Sequence, residues 1–320
     1  MPIPHSSTEP DFVLFKRSCG LDFIRLFSET TKVLPLSPAR TKIRPLRAYG
    51  HDGMILTIQE PKVKDVEIIA KELPTAIFDA VEVYFDFTPK GVISALERQN
   101  RIEDVRQWVL SHLYPWQALG IQAATRVSKG WKHSEPVYFG DVERRAARYE
   151  TMYFGHSDSI FADPDEPNLA SMRLYRKITD GGRHLSPSKH RCRLELTMNQ
   201  AGCKHFGLVD PASLFGFNFR QFAPYFRLVK PEVRPCVMPK LRASNPRMAE
   251  LLERTKLRMA AGTLSNVGSH AASREKLLNV DGHHRHKEGN RMIQLRLDDL
   301  TRRFKKSRES SSYGDEWGSW

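Results

Sequence analysis

The chain has 320 residues and carries 50 Lys and Arg against 37 Asp and Glu, a formal net charge of +13. No apolar run reaches the roughly 18 residues of a helical membrane span, and the N-terminal "MPIPHSSTEPDF" lacks the basic and apolar regions of a secretory signal. The charge excess suits a polyanionic partner, because each cation near a phosphate displaces a condensed counterion. Cys19, Cys192, Cys203 and Cys236 have no close metal-ligand spacing and read as free thiols of a cytoplasmic protein.

Residues 1–10 read as disordered, and "DFVLFKRSCGLDFIRLFS" as either helix or strand. Two short runs around His51-Asp52-Gly53 predict a hairpin with that triplet as its turn. Val63, Val66, Ile69, Ala70 and Leu73 recur at helical spacing over 62–73. "AIFDAVEVYFDFTP" alternates strictly, with Val81, Val83, Phe85 and Phe87 opposing Glu82, Tyr84 and Asp86. A helix over 91–113 follows, with Val92, Leu96, Val105 and Val109 near its apolar stripe. "ALGIQAATRVSKGW" is a further strand candidate, and "YETMYFG", "SMRLYRKI" and "RCRLELTM" alternate as strands. Asp210 and Pro211 open a helix in "DPASLFGFNFRQFAPYFRLV". After about 230 the composition turns rich in proline, then polar, with helices predicted from Asn245 and over "NRMIQLRLDDLTRRF". The organisation expected is an N-terminal extension over 1–40, a catalytic domain over 41–230, and a connector, helices and basic, partly disordered tail over 231–320.

Each strong strand has one apolar and one polar face. That pattern predicts an α+β fold: a mainly antiparallel sheet with helices on one face, an open polar face on the other, and a helical or disordered C-terminal extension. The polar face gathers Glu82, Tyr84, Asp86, Thr151, Tyr153, Arg173, Tyr175, Lys177, Arg193 and Glu195. Each has an ordinary role available: Tyr175 as packing area, Lys177 as a solvated cation, Glu195 with Arg193 as a surface ion pair. Together, though, they form an inventory for phosphodiester transesterification. Convergent carboxylates hold a hard divalent cation, and a tyrosine hydroxyl beside cations or a metal becomes a nucleophile toward phosphorus.

The ordered set "VEVYFDF", "TMYFGHSDS", "MRLYRKI" and "CRLEL" resembles the replication initiation factor family, the rolling-circle initiators of small plasmids and their filamentous-phage relatives. The resemblance covers about residues 80–199. It implies a nuclease core on an antiparallel sheet, with Tyr175 matching the nicking tyrosine of R-x-Y-x-K between Arg173 and Lys177. It further implies Glu195, Glu82 and Asp86 as ligands of magnesium or manganese. Departures from the pattern are Glu82 in place of aspartate, His156 and Asp158 in a turn that is usually basic, Arg176 after the tyrosine, and an acidic insertion at 161–170.

The resulting expectation is a rolling-circle DNA replication initiator: a metal-dependent single-strand endonuclease and strand transferase with a 5′-phosphotyrosine intermediate. Its partners would be single-stranded or hairpin origin DNA, a host helicase and polymerase, and a second copy of itself, with no membrane. The alternatives are a non-catalytic basic DNA-binding factor and a metal nuclease that uses water. Tyr153 is the rival nucleophile, and "HHRH" at 283–286 a weaker metal candidate.

Overall fold

The computed structural model describes residues 10–48, 51–113, 125–129, 133–136, 151–154, 169–231, 243 and 283–312. In chain order the sheet-forming segments are β1 (Phe15–Ser28), β2 (Thr41–Ala48), β3 (His51–Gln59), β4 (Ile77–Pro89), β5 (Thr125–Lys129), β6 (His133–Pro136), β7 (Met152–Phe154) and β8 (Ala170–Lys177). A small hairpin, β9 (Thr179–Asp180) and β10 (Arg183–His184), leads into β11 (Arg191–Asn199). Among the described residues the main sheet has nine strands in the order β2-β3-β1-β4-β11-β8-β7-β5-β6, and every pairing among them is antiparallel. This is the predicted α+β class. β3 already begins at His51, so His51 and Asp52 pair with Ala48 and Arg47 and do not form the turn.

One face of the sheet is apolar because alternate residues of its strands are. Val81, Val83, Phe85 and Phe87 of β4, Met172 and Leu174 of β8, and Leu194, Leu196 and Met198 of β11 are all buried. Helix α1 (Val63–Glu72) adds Val66 and Ile69 to that core. The Asp65 carboxylate anchors its first turn by accepting from the Lys62 N–H (2.8 Å). Helix α2 (Ala95–His112) is capped by Ser94, whose hydroxyl accepts from the Glu97 N–H (3.1 Å). Its buried stripe is Ile102, Val105, Trp108 and Val109, whereas Val92 and Leu96 are exposed: Val92 precedes the helix, which starts later than the periodicity predicted, and Leu96 lies in its first turn. Asp210 and Pro211 do cap and open a helix, but a 3-10 turn that ends at Phe215 and is followed by a second over Phe219–Phe222. Gly216 closes the first and the Asn218 side chain caps the second.

The core is continuous from Phe12 to Phe304 and does not respect boundaries at 41 and 231. β1, which falls mostly in the expected N-terminal extension, pairs with β3 on one edge and β4 on the other. Helix α3 (Gln200–His205) buries Cys203 directly after β11. β12 (Val229–Pro231) and β13 (His283–Arg285) pair with each other, so three residues of "HHRH" lie in a strand, and His286 is buried. The last helix, α4 (Lys287–Ser312), buries Met292, Ile293, Leu297, Leu300 and Phe304. Arg303 donates to the Cys19 carbonyl (2.5 Å) and the Phe304 ring meets that of Phe219 (5.7 Å). Phe304 of the basic "TRRF" segment is thus a piece of the core, while Arg302 and Arg303 stay on the surface of α4. The three described cysteines are unpaired and buried. Among the described residues no helix is long and apolar enough to cross a membrane. The expectations of disorder at 1–9 and of a helix from Asn245 lie outside the described residues.

Candidate active site

Register places the polar residues of β4, β11 and β8 in three adjacent rungs. Glu82 faces Thr197, and Thr197 faces Ser171. Tyr84 faces Glu195, Glu195 faces Arg173, and Arg173 faces Tyr153. Asp86 faces Arg193, and Arg193 faces Tyr175. On the other side of β4, Gly20 of β1 stands opposite Tyr84. A Cβ at Gly20 would lie 2.7 Å from the Tyr84 hydroxyl, so the missing side chain makes room for the ring.

The pairing of β1 with β4 slips between Leu21 and Phe23, a β-bulge that leaves Asp22 as the extra residue. Asp22 thereby reaches the polar face. Carboxylate oxygens of Asp22, Glu82 and Glu195 lie within 4.8 Å of one another, and all three residues are buried. Asp86, expected among the metal ligands, is not in that group. Arg193 grips it with a two-pronged fork, Nε to Oδ1 and Nη2 to Oδ2 at 2.7 Å each, and Arg191 adds a contact of 2.8 Å. Arg193 also donates to Asp22, and its guanidinium stacks on the Tyr84 ring, 4.0 Å from the centroid.

Tyr175 is half-buried and donates its hydroxyl to Glu195 Oε1 at 2.5 Å. The other oxygen, Oε2, is buried and accepts no hydrogen bond, though Nη2 of Arg173 lies 2.6 Å away. That nitrogen also donates to both oxygens of Glu82, at 2.9 and 3.0 Å, and the Thr197 hydroxyl donates to the same carboxylate. Lys177 is buried between Asp22 (3.4 Å) and Asp180 (3.1 Å). The face therefore brings together Tyr175, Arg173, Lys177, Glu195 and Glu82, and keeps Asp86 in a separate clamp. Asp22, Arg191 and Thr197 join them, and none of the three was singled out in the sequence.

Electrostatics follow from burial. Burial, then the neighbouring Glu195, push the Glu82 carboxyl up to about 8, against the pull of Arg173 and Thr197. Burial also raises Glu195, with Arg173 opposing. For Asp22 the burial penalty is outweighed by Arg193 and Lys177, which hold it below the ordinary carboxylate value. Burial, then the charge and hydrogen bond of Glu195, push the Tyr175 hydroxyl far above its usual value despite Arg193 and Arg173. The flanking cations thus do not acidify the tyrosine in this arrangement; it keeps its proton and donates a hydrogen bond to Glu195.

The donor set fits a hard divalent cation on three counts. Three carboxylate oxygens converge. One of them is buried without a hydrogen bond. Two of the carboxylates resist ionisation, a penalty that a dication would relieve. On the same face a cleft of about 300 Å³ is lined by Tyr84, Asp86 and Arg193 together with the cations Lys16, Lys189 and Arg191.

No family model matches the chain, and no curated protein matches it. A solved structure that is similar is a rolling-circle replication initiator protein from Geobacillus stearothermophilus, with 10% identity, 83% of this chain and 97% of that chain covered, and a TM-score of 0.31. A superposition that loose does not establish a shared fold.

Proposed function

We propose that this chain is a rolling-circle replication initiator that nicks and rejoins origin DNA through Tyr175, with magnesium or manganese held by Asp22, Glu82 and Glu195. The observation that carries the reading is the hydrogen bond from the Tyr175 hydroxyl to Glu195, itself one of the three carboxylates that converge on the polar face. The order of the four motifs along the chain supports it independently.

A bound divalent cation would supply charge stabilisation for the phosphate undergoing attack. The chain's own residues do the rest. Tyr175 Oη forms a bond to phosphorus, and its proton passes to Glu195 Oε1, which already accepts it as a hydrogen bond. The bond from phosphorus to the 3′ oxygen breaks, and that oxygen leaves and takes a proton from solvent. The strand is held as a 5′-phosphotyrosine, and a free 3′-hydroxyl is released for extension by a host polymerase. Religation runs the same steps in reverse, without ATP, because the ester keeps the energy of the broken bond. Lys177 holds the Asp22 carboxylate, and Arg173, whose side chain is 37% exposed against 7% for Lys177, is the more accessible of the two cations to an incoming phosphate.

The test is a covalent adduct. The full chain is incubated with single-stranded origin DNA and manganese, then run under denaturing conditions. Wild type should give a protein–DNA band, and Tyr175→Phe should give none while still binding DNA. An equal band from Tyr175→Phe moves the nucleophile to Tyr153. Cleavage without a band points to water as the nucleophile. One observation favours the alternative of a non-catalytic DNA-binding factor: Asp22, Glu82, Asp86 and Glu195 are matched one for one by Arg173, Lys177, Arg191 and Arg193, as in an ion network that serves only structure. Binding with neither cleavage nor a band would select it.

A further inference from the structure

Arg173 stands where the carboxylates converge. Its Nη2 lies 2.9 and 3.0 Å from the two oxygens of Glu82 and 2.6 Å from Oε2 of Glu195. One nitrogen therefore touches three oxygens that belong to two members of the trio. A divalent cation needs about 2.0–2.6 Å to such oxygens. It would overlap that nitrogen, so the two cannot share the position. The Glu82 and Glu195 side chains are 1–2% exposed, whereas that of Arg173 is 37% exposed although its Nε is buried, so part of the Arg173 side chain reaches solvent while the carboxylates it holds do not. Arg193 has no comparable exit: it is 1% exposed, forked on Asp86 and stacked on Tyr84.

We propose that Arg173 is a resident counter-ion of the carboxylate trio, and that it must swing out toward solvent before a divalent cation takes its place. The inference rests on the reading of Asp22, Glu82 and Glu195 as a metal site. It explains how so many carboxylates stay together without a metal, since each already has a cation. It also couples two events. The departing guanidinium stays on β8 beside Tyr175, whose ring centroid lies 6.0 Å from it in the closed arrangement. Metal loading would therefore free the cation that then receives the DNA backbone.

If the closed arrangement holds nine molecules in ten, apparent metal affinity is reduced about tenfold relative to a chain without the plug. Manganese is titrated into the full chain without DNA, and free ion is followed by its electron paramagnetic resonance signal. Arg173→Gln should bind manganese about tenfold more tightly than wild type. Lys189→Gln removes the same unit of charge from the neighbouring cleft and should leave the affinity near that of wild type. Equal gains in both variants would reduce the effect to net charge and overturn the proposal, as would unchanged or weaker binding by Arg173→Gln.

A second measurement does not depend on the fold of a variant. The Arg173 Nε resonance of the wild type, assigned by its loss in Arg173→Gln, should move toward the position of a solvated arginine as magnesium is added. A resonance that stays put at saturating magnesium shows that plug and metal coexist, which refutes the exchange but leaves the metal site standing. Absence of manganese binding in wild type and variant alike removes the metal site, and the proposal with it, while the adduct assay still decides the tyrosine chemistry.

Discussion

Arg193→Met should cost the metal-free protein about 3 kcal/mol of stability. Arg193 is 1% exposed, so its charge has no solvent to fall back on. It supplies both prongs of the fork on Asp86, a donor to Asp22 and a cation over Tyr84 at 4.0 Å. Breaking a buried pair by removing one partner typically costs about 3–5 kcal/mol, and a desolvated cation–π contact adds about 2. Methionine returns part of this by packing its stem. Arg191 remains 2.8 Å from Asp86 and Lys177 3.4 Å from Asp22, which keeps the loss at the low end. The assay is urea unfolding followed by circular dichroism. The double variant Arg193→Met/Asp86→Asn should recover more than about 1 kcal/mol, because the stranded carboxylate is gone. A loss below about 1 kcal/mol in the single variant, or no recovery in the double, would refute the reasoning, since Arg193 would then matter only as packing volume.

Three other outcomes are expected. The Glu82 carboxyl, at about 8 in the fold against an ordinary 4.5, keeps its proton on folding, so its contribution is fully present below the lower value and is lost as pH rises from about 5 to 8. The slope should reach at most about 1.4 kcal/mol per pH unit in metal-free protein and flatten in Glu82→Gln; equal slopes in urea titrations would sink the assignment. Leu297→Ala, at a fully buried position of α4, should cost about 2–5 kcal/mol, and a cost under 1 kcal/mol would mean that α4 is not docked on the sheet. Asp22→Asn should weaken manganese binding at least about tenfold while Asp86→Asn changes it little, by the ligand count of the trio; the opposite ranking would return Asp86 to the ligand set.

The strands that carry Tyr175, Glu195 and Glu82 were legible because β4, β8 and β11 keep a strict period of two over the residues that matter. That period predicted a shared face before any pairing was known, and the register honours it. β1 was not legible for a physical reason. Its bulge changes the phase of alternation, so Cys19 and Leu21 before it and Ile24 and Leu26 after it are all buried, and no single period describes the run. Asp22 sits at that slip, flanked by Leu21 and Phe23, and looks like an isolated charge in an apolar stretch. Asp86 was misplaced for a different reason. Alternation assigns a side chain to a face but cannot say which cation on that face will claim it, and Arg193 does so from the next strand. The amphipathic stripe of α4 could be read, but its docking could not, because part of the surface that receives it, on β1, lies at the other end of the chain.

That last contact has a consequence for how the protein is made. Cys19 and Arg303 touch across 284 positions of sequence. At roughly 5–20 residues per second, β1 leaves the ribosome about 15–60 s before the helix that covers it. Throughout that interval the apolar side of the growing sheet has α1 and α2 but lacks the cover that α4 supplies over β1, and the entropy of closing so long a loop delays the final step further. The nascent chain is therefore a long-lived client for whatever shields exposed strands in the cell. A ribosome stalled anywhere between about residues 231 and 286 would release a sheet with its carboxylate face complete and its oily face covered by α1 and α2 but open where α4 should dock.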